Sequence, residues 1–415
     1  MDEDNKEKID LIVSALKDMF EKTKYIDFKR SIKIIGNKRI LNIKIDSTDF
    51  GSKELYIIAQ CIKYCERYKY FKYNVKIDLQ NVKFFNDKIT CLLLDMMVFY
   101  FVNVCKTSEV SILYNIPAGD FNNCTLYSTA FQRFYHDNPY KNITRDDFNT
   151  FYLKSKDTRI VRKDMLYYRQ ICTKSEFSKD YVSKLSTDIN SILSRYFDNL
   201  WVNDICKVVE EIVDNALSHN DELLVFDLHC SNELVDDCKT HSCNGIYIGI
   251  LNMGNKNLYT SLSNNIKGKK YKKDDKIYEK VYLAYDNHKE KYSKDYNENL
   301  FFMVTSFQKN VTSRYIESGN SGKGLTTLIK KIANKMLQHN CYVLSGEDII
   351  YFRDEFLKIS SEGFIGFNKT NDYINDIPDD LVLNKSKLYC PGTIYNLSFI
   401  KEEKGDKSEE NKLEV

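Results

Sequence analysis

The feature of this sequence that most restricts its fold is a regular alternation of strand-like and helix-like apolar patterns. Residues 39–46, for example, alternate apolar and polar side chains, as a half-buried strand does, and residues 53–68 then carry apolar side chains at helical spacing. Strands alternating with helices of this length are typical of α/β domains, which predicts a small α/β domain over residues 1–116. Its predicted elements are helices at 8–22, 53–68 and 88–104, and strands at 39–46, 75–79 and 110–114.

The second half of the chain opens with two strong amphipathic patterns, which predict helices at 179–197 and 203–219. The preceding residues, 117–178, are aromatic and irregular and contain several breakers, so they are predicted to connect the halves. Residues 267–299 and 401–415 are dense in charge with little hydrophobic periodicity, which favours mobile segments. The remaining predicted elements are strands at 223–230, 245–251, 341–344, 349–352 and 393–399, and a helix at 323–338.

Composition restricts the class of protein. The chain has 415 residues, 43% of them hydrophobic, which is ample for a buried core; two domains are the default at this length and three are possible. A net charge of +2 gives no general attraction to nucleic acid or to acidic membranes. No signal peptide or apolar segment of about 20 residues is visible, so we expect no membrane partner. The 12 cysteines then favour reduced thiols in a cytoplasmic protein, and the heavy use of Lys, Asn, Ile and Tyr suggests a bacterial source.

One predicted helix carries a polar stripe beside its apolar one. Glu211, Asn215 and His219 follow each other at intervals of four residues, so they share one face. A carboxylate, a carboxamide and an imidazole in a row are able to order a water, a cation and a phosphate. The same stripe is also what the solvent-facing side of an ordinary amphipathic helix looks like.

Two further segments contain residues suited to binding a nucleotide. Asn252 ends an apolar strand and is followed by Gly254, which suits a buried side chain that reads a base. Glycines at 319, 322 and 324 precede a helix, where backbone N–H groups and the helix N-terminus favour a phosphate. An ordinary turn and a flexible loop are the alternative readings of these two segments. The glycine loop is not a Walker A motif, because it lacks the Gly-Lys-Ser/Thr ending.

Taken together and in this order, the three segments resemble the N, G1 and G2 boxes of the GHKL ATPases (gyrase, heat-shock chaperone, histidine kinase, MutL). Residues 211–219 (EIVDNALSH) resemble the N box, 319–325 (GNSGKGL) resemble the G2 box, and 310–314 (NVTSR) resemble the end of the lid. Residues 390–395 (CPGTIY) resemble the last strand of that fold. The resemblance implies a Bergerat-type α/β sandwich over 179–400, in which helices cover a mixed sheet and a lid spans 256–318.

The resemblance also implies roles for individual residues. Asn215 would bind Mg²⁺, and Glu211 would polarise the attacking water. Asn252 and Thr393 would recognise the adenine of ATP, with Gly254 allowing close approach. The implied phosphate-binding residues are Gly319, Gly322 and Gly324, with Lys323, His219 and Arg314 as charged helpers.

The sequence departs from the GHKL pattern at two points. The G1 box normally has Asp where this chain has Asn252, which puts base preference in question because a carboxamide both donates and accepts. Gyrase-like and MutL-like members also continue into a transducer domain that supplies a catalytic Lys, whereas this sequence ends soon after Phe399.

Two weaker patterns concern other sites. Residues 75–87 resemble the STAS domain of anti-sigma-factor antagonists, although Asn86 and Asp87 stand where phosphorylated members have Ser; an ordinary small α/β domain is the alternative. A second pattern has atoms suited to zinc but no familiar zinc spacing. It consists of His229, Cys230, Cys238, His241 and Cys243.

Three functions are compatible with these patterns. The first is a Mg-ATP-dependent conformational switch with slow hydrolysis, which acts on a protein partner or within a homodimer, in bacterial regulation or phage defence. The second is a protein kinase of the anti-sigma or histidine-kinase kind, although residues 179–197 contain no His to be phosphorylated. The third is a nucleotide sensor that does not hydrolyse ATP.

Overall fold

The fold combines helices with two main β-sheets, in a mixed α/β arrangement. Besides the two sheets, β3 and β5 form a short parallel pair. Our computed structural model describes residues 3–35, 38–105, 109–114, 149, 152–153, 165–195, 197–218, 223–235, 242–271, 275–312, 324–333 and 341–402.

The N-terminal lobe contains a four-stranded sheet in the order β1-β2-β4-β6. β1 pairs with β2 in antiparallel fashion, while β2, β4 and β6 are parallel, so this sheet is mixed and the predicted α/β pattern is confirmed. Its elements are α1 (Glu3–Glu21), β1 (Ile32–Ile35), β2 (Lys38–Lys44), β3 (Asp49–Phe50), α2 (Ser52–Arg67), β4 (Tyr73–Leu79), β5 (Phe84–Phe85), α3 (Lys88–Asn103) and β6 (Glu109–Tyr114).

The C-terminal lobe is built on a five-stranded sheet in the order β10-β11-β9-β8-β7, with every pairing antiparallel. The expectation of a mixed sheet here was wrong: β8 and β9 follow each other without a helical crossover, and such neighbours pair antiparallel. Its elements are β7 (Met165–Thr173), α4 (Lys179–Leu193), α5 (Asn199–Ser218), β8 (Leu223–Val235), β9 (Ser242–Met253), α6 (Thr260–Lys267), α7 (Lys276–Lys289), α8 (Glu298–Ser306), α9 (Gly324–Ile332), β10 (Tyr342–Tyr351) and β11 (Leu383–Glu402).

The two lobes share a hydrophobic core. Helices α1, α2 and α3 pack against one face of the five-stranded sheet and against the four-stranded sheet. α3 is therefore buried around nearly its whole circumference, which accounts for its apolar sequence. Gly249 in β9 permits this packing, because a Cβ atom at that position would lie 2.5 Å from Leu92 Cδ1.

A cluster of charged side chains is buried where α3 meets the sheet. Asp227 Oδ1 lies 2.5 Å from Lys88 Nζ, and its Oδ2 lies 2.6 Å from Arg169 Nε. Arg169 Nη2 lies 3.0 Å from Asp95 Oδ2. Burial lowers the pKa of the Lys88 ammonium, and the Asp227 carboxylate opposes that shift. Buried charges of this kind are tolerated only when they are paired, so the cluster favours one orientation of α3 on the sheet.

The other face of the five-stranded sheet belongs to a second hydrophobic cluster, to which helices α4–α9 contribute. The segment 267–299, which we expected to be mobile, instead contains α7, and this helix buries Tyr278, Val281 and Ala284 in the second cluster. Tyr has an apolar ring, so a pattern read only from aliphatic residues misses such a helix. The expected lid of 256–318 likewise contains the packed helices α6–α8, and its last residues, 313–318, lie outside the described ones.

Three other predictions are settled by the same elements. The two strands predicted at 341–344 and 349–352 form one strand, β10, whose register shifts twice near Gly346. The expected connecting region, 117–178, supplies the edge strand β7, and most of its other residues lie outside the described ones. No helix among the described residues is both long and apolar enough to cross a membrane.

Candidate functional site

Glu211 and Asn215 lie one turn apart on α5, at the border of its buried face. Ile212, Val213 and Ala216 of the same helix are buried in the second cluster, and both polar side chains are partly buried. Burial raises the pKa of Glu211, and the neighbouring Asp214 and Glu210 carboxylates raise it further. A carboxyl with a raised pKa accepts a proton more readily, which is the property of a general base. His219 lies outside the described residues.

Asn252 and Thr393 lie directly opposite each other on neighbouring strands. They form a register pair between β9 and β11, and their side chains are 6% and 5% exposed. Opposite residues in an antiparallel pair point to the same face with Cβ atoms about 4.5–5.5 Å apart. The fold therefore brings together two residues that are 141 positions apart in the sequence.

This pair faces the helices of the C-terminal lobe. In β9, Ile248 and Ile250 belong to the second hydrophobic cluster, whereas Leu251 and Met253 belong to the first. Because side chains alternate between the faces of a strand, Asn252 lies on the side of Ile250. The second cluster also contains the buried residues of α5 and α9, so the pair and these helices occupy one side of the sheet.

Helix α9 packs against α5, and an ion pair joins the last turn of α9 to the first part of α5. Lys331 Nζ, in the last turn of α9, lies 2.6 Å from Asp204 Oδ1 near the start of α5. Gly324, at the start of α9, lies about 10 Å from Lys331 along the helix axis, given a rise of 1.5 Å per residue. If α9 ran parallel to α5, Gly324 would therefore lie beyond the first residue of α5. Because α9 packs along α5, we infer an antiparallel course, which directs Gly324 toward Glu211.

Chain connectivity places the end of α5 near the same pair. α5 ends at Ser218, and β8 starts at Leu223. Five extended residues span at most about 18 Å. Leu224 is the register partner of Asn252, so the last turn of α5 reaches the same end of the sheet. Glu211, Asn215 and Gly324 therefore lie on helices that cover the same face of the sheet as Asn252 and Thr393. The other predicted phosphate-binding residues, Gly319, Gly322, Lys323 and Arg314, lie outside the described ones.

The sequence reasoning missed the residues that hold the turn after β9 against β11. Gly392 has a φ of +86°, and a Cβ there would lie 2.1 Å from the Asn252 carbonyl oxygen. Its N–H donates to Asn257 Oδ1 over 3.1 Å, and its carbonyl accepts from the Ser345 hydroxyl over 2.5 Å. The Pro391-Gly392 dipeptide signals an irregularity in β11, where the register with β10 shifts. Nothing local signals Asn257 or Ser345, because both contact Gly392 from distant parts of the chain.

The proposed zinc cluster is not assembled by the described residues. His229 and Cys230 are consecutive in β8, so their side chains point to opposite faces of the sheet. Cys230 is buried among apolar residues of the second cluster, while the His229 ring stacks on Tyr247 with centroids 5.7 Å apart. Cys238, His241 and the Cys243 side chain lie outside the described residues, within which no three potential ligands form a metal-binding group.

Comparison with known proteins found no matching family model, no similar curated protein and no similar solved structure.

Proposed function

We propose that the C-terminal lobe binds Mg-ATP in a GHKL-type site and acts as a conformational switch with slow hydrolysis. The observation that carries the proposal is the register pair of Asn252 and Thr393 on the face shared with α5 and α9. A carboxamide and a hydroxyl, both buried and adjacent, provide the hydrogen-bonding groups that an adenine edge requires. The GHKL resemblance assigns adenine recognition to these same two residues.

The other residues of this region fit the rest of the ligand. Asn215 would hold the cation through its carboxamide oxygen, and the N-terminus of α9 at Gly324 would favour phosphate. When bound, Mg²⁺ neutralises part of the charge on the phosphates. Glu211 would accept a proton from the attacking water, which its raised pKa favours.

The arrangement of the two lobes supports a role as a switch. The proposed site and the N-terminal helices lie on opposite faces of the same five-stranded sheet. A ligand that binds one arrangement of this sheet more tightly shifts the population of that arrangement. The N-terminal lobe, which we propose to be STAS-like, would then present altered contacts to a protein partner or to a second copy of the chain.

A titration with Mg-ATP tests the proposal. We expect saturable binding by the wild-type chain and at least about tenfold weaker binding by Asn215→Ala, since one ligand to the cation is lost. Glu211→Gln should retain binding and lose phosphate release by about 10²–10⁴-fold. Glu210→Gln, one position earlier, is the matched control for binding and should leave the affinity for Mg-ATP unchanged. An unchanged affinity in Asn215→Ala would contradict the proposed site.

A labelling assay on the same purified protein distinguishes ATP hydrolysis from phosphoryl transfer to a protein. Incubation with γ-labelled ATP and cell extract should release free phosphate and leave protein unlabelled. A labelled protein that depends on Asn215 would instead support a kinase. Binding without either product, unaffected by Glu211→Gln, would support a sensor.

A further inference from the structure

Thr326 is a polar residue on the buried side of α9. It lies in the first turn of the helix, two residues after Gly324, and it is buried together with Ile329, three positions further on. Residues three apart share one face of a helix, and a buried face ordinarily carries apolar side chains. A valine would fill nearly the same space, so a hydroxyl at this position is costly unless it is hydrogen-bonded.

The Thr326 hydroxyl is hydrogen-bonded outside its own helix. It donates to the Phe307 carbonyl over 2.9 Å, in the turn that follows α8. A threonine within a helix commonly bonds a carbonyl of the preceding turn instead. Thr305 of α8 does so, since its hydroxyl donates to the Phe301 carbonyl over 2.7 Å. The bond from Thr326 therefore joins two helices rather than closing a turn within one.

The turn that accepts this bond is held firmly by the rest of the lobe. The Phe307 ring is fully buried and packs against Phe352 and Phe367, with ring centroids 5.5 and 6.0 Å away. The next residue, Gln308, is also buried and is bonded twice to the Ile365 backbone. Its Nε2 donates to the Ile365 carbonyl over 3.0 Å, and its Oε1 accepts from the Ile365 N–H over 2.7 Å. These contacts make the turn after α8 a stable anchor for the start of α9.

Helix α9 is held near both ends by different neighbours. In its last turn Lys331 pairs with Asp204 of α5, and in its first turn Thr326 bonds the end of α8. The bond in the first turn acts on the end of the helix at Gly324, where unpaired N–H groups and the helix dipole favour an anion. A binding group works well only when it is held to within about 0.5 Å of its productive position.

We propose that Thr326 is a positioning residue for the phosphates of Mg-ATP, because its hydrogen bond to Phe307 sets the place of the α9 N-terminus. This inference rests on the proposed Mg-ATP site and adds a residue to it. In this role Thr326 acts through Gly324 and makes no contact with the nucleotide. Its effect is confined to the phosphate end of the ligand, since the adenine pair Asn252 and Thr393 is held by the sheet.

Calorimetric titrations of the full chain with Mg-ATP and with adenosine test this role. We expect Thr326→Val, which keeps the shape but loses the hydroxyl, to weaken Mg-ATP binding by about tenfold and to leave adenosine binding unchanged. Thr326→Ser keeps the donor and should restore most of the affinity for Mg-ATP. Thr23→Val is the control, because it removes a buried hydroxyl that bonds Met19 in the N-terminal lobe, and it should bind both ligands like the wild type.

Hydrogen exchange of the unliganded chain gives a second readout that needs no nucleotide. The amides of residues 328–330 bond the carbonyls of the first turn of α9. They should exchange faster in Thr326→Val than in the wild type, because the first turn opens more often without its anchor. The amides in the middle of α5 should exchange at the same rate in both proteins.

Mg-ATP binding by Thr326→Val at the wild-type affinity would overturn the role of Thr326 and leave the proposed site standing. An equal loss of Mg-ATP and adenosine binding would also overturn it, because general unfolding acts on both ligands. The same holds if Thr326→Ser binds as weakly as Thr326→Val, or if exchange at residues 328–330 is unchanged. No binding of Mg-ATP by the wild type would contradict the proposed site itself, and this role with it.

Discussion

Arg169 Nε donates to Asp227 Oδ2 over 2.6 Å, and the two side chains are 4% and 0% exposed. The pair lies between β7 and β8 on the face that receives α3, where Asp95 also contacts Arg169. Because α3 belongs to the N-terminal lobe, this buried cluster ties the two lobes together. Arg169 is the residue that contacts both carboxylates of the cluster.

We predict that Arg169→Met destabilises the protein by about 3–5 kcal/mol, because two carboxylates lose a buried cationic partner. Chemical denaturation of the full chain measures this loss. Asp286→Ala is the control, since it removes the exposed partner of Lys289 and should cost less than about 1 kcal/mol. Equal losses of unfolding free energy in the two variants would show that the buried cluster stabilises the fold no more than an exposed ion pair does.

Gly249→Ala should destabilise the protein by about 1–3 kcal/mol through overpacking, because the new Cβ atom would lie 2.5 Å from Leu92 Cδ1. The cost should be smaller in a Leu92→Ala background, where the clashing atom is absent. A double-mutant cycle by denaturant unfolding measures this coupling. Strictly additive effects would contradict the close approach of α3 to β9.

Thr393→Val should weaken Mg-ATP binding by about tenfold if the proposed site is correct, because a nearly isosteric side chain loses one hydrogen-bonding group. Asn252→Asp should increase the preference for ATP over GTP, since a carboxylate accepts from an amino group but repels a carbonyl. Ser398→Ala, on the opposite face of β11, is the control for strand integrity. Titrations with both nucleotides measure these effects. An unchanged affinity in Thr393→Val would count against adenine recognition at this pair.

His288 should make stability fall as the pH drops from about 6.5 to about 4. Its Nε2 lies 3.1 Å from the Tyr373 carbonyl, so it donates there, and Nδ1 accepts from the Tyr296 hydroxyl. Burial, followed by the nearby Lys291, lowers the pKa of His288 to about 4. In the unfolded chain this histidine has a pKa of about 6.5, so the unfolded state binds more protons than the folded state between pH 6.5 and 4. Lowering the pH through this range therefore favours unfolding.

Because of His288, we expect the free energy of unfolding to fall by on the order of 2 kcal/mol between pH 6.5 and pH 4. Unfolding of the wild type and of His288→Gln at a series of pH values checks it. The glutamine amide is able to make both hydrogen bonds but does not titrate. An equal pH dependence in both proteins between pH 6.5 and 4 would contradict the prediction.

Hydrophobic periodicity was a reliable guide where one pattern dominated a segment. Helices α2 and α5 begin and end within a few residues of their predicted bounds, because each carries aliphatic side chains at regular helical spacing. It failed for α7, whose buried face includes Tyr278 and His288 and is surrounded by charge. A side chain that is polar at its tip becomes a core residue only when the tertiary structure supplies its partner.

By itself the sequence determined the mixed α/β class, most helices and strands, and the polar stripe that carries Glu211 and Asn215. These features follow from local spacing, which sets the face on which each side chain lies. Only the tertiary structure decided that Asn252 lies opposite Thr393, that α3 is enclosed between two sheets, and that Arg169 meets Asp227. Those relationships depend on strand register and on packing between residues far apart in the chain, for which local sequence carries no signal.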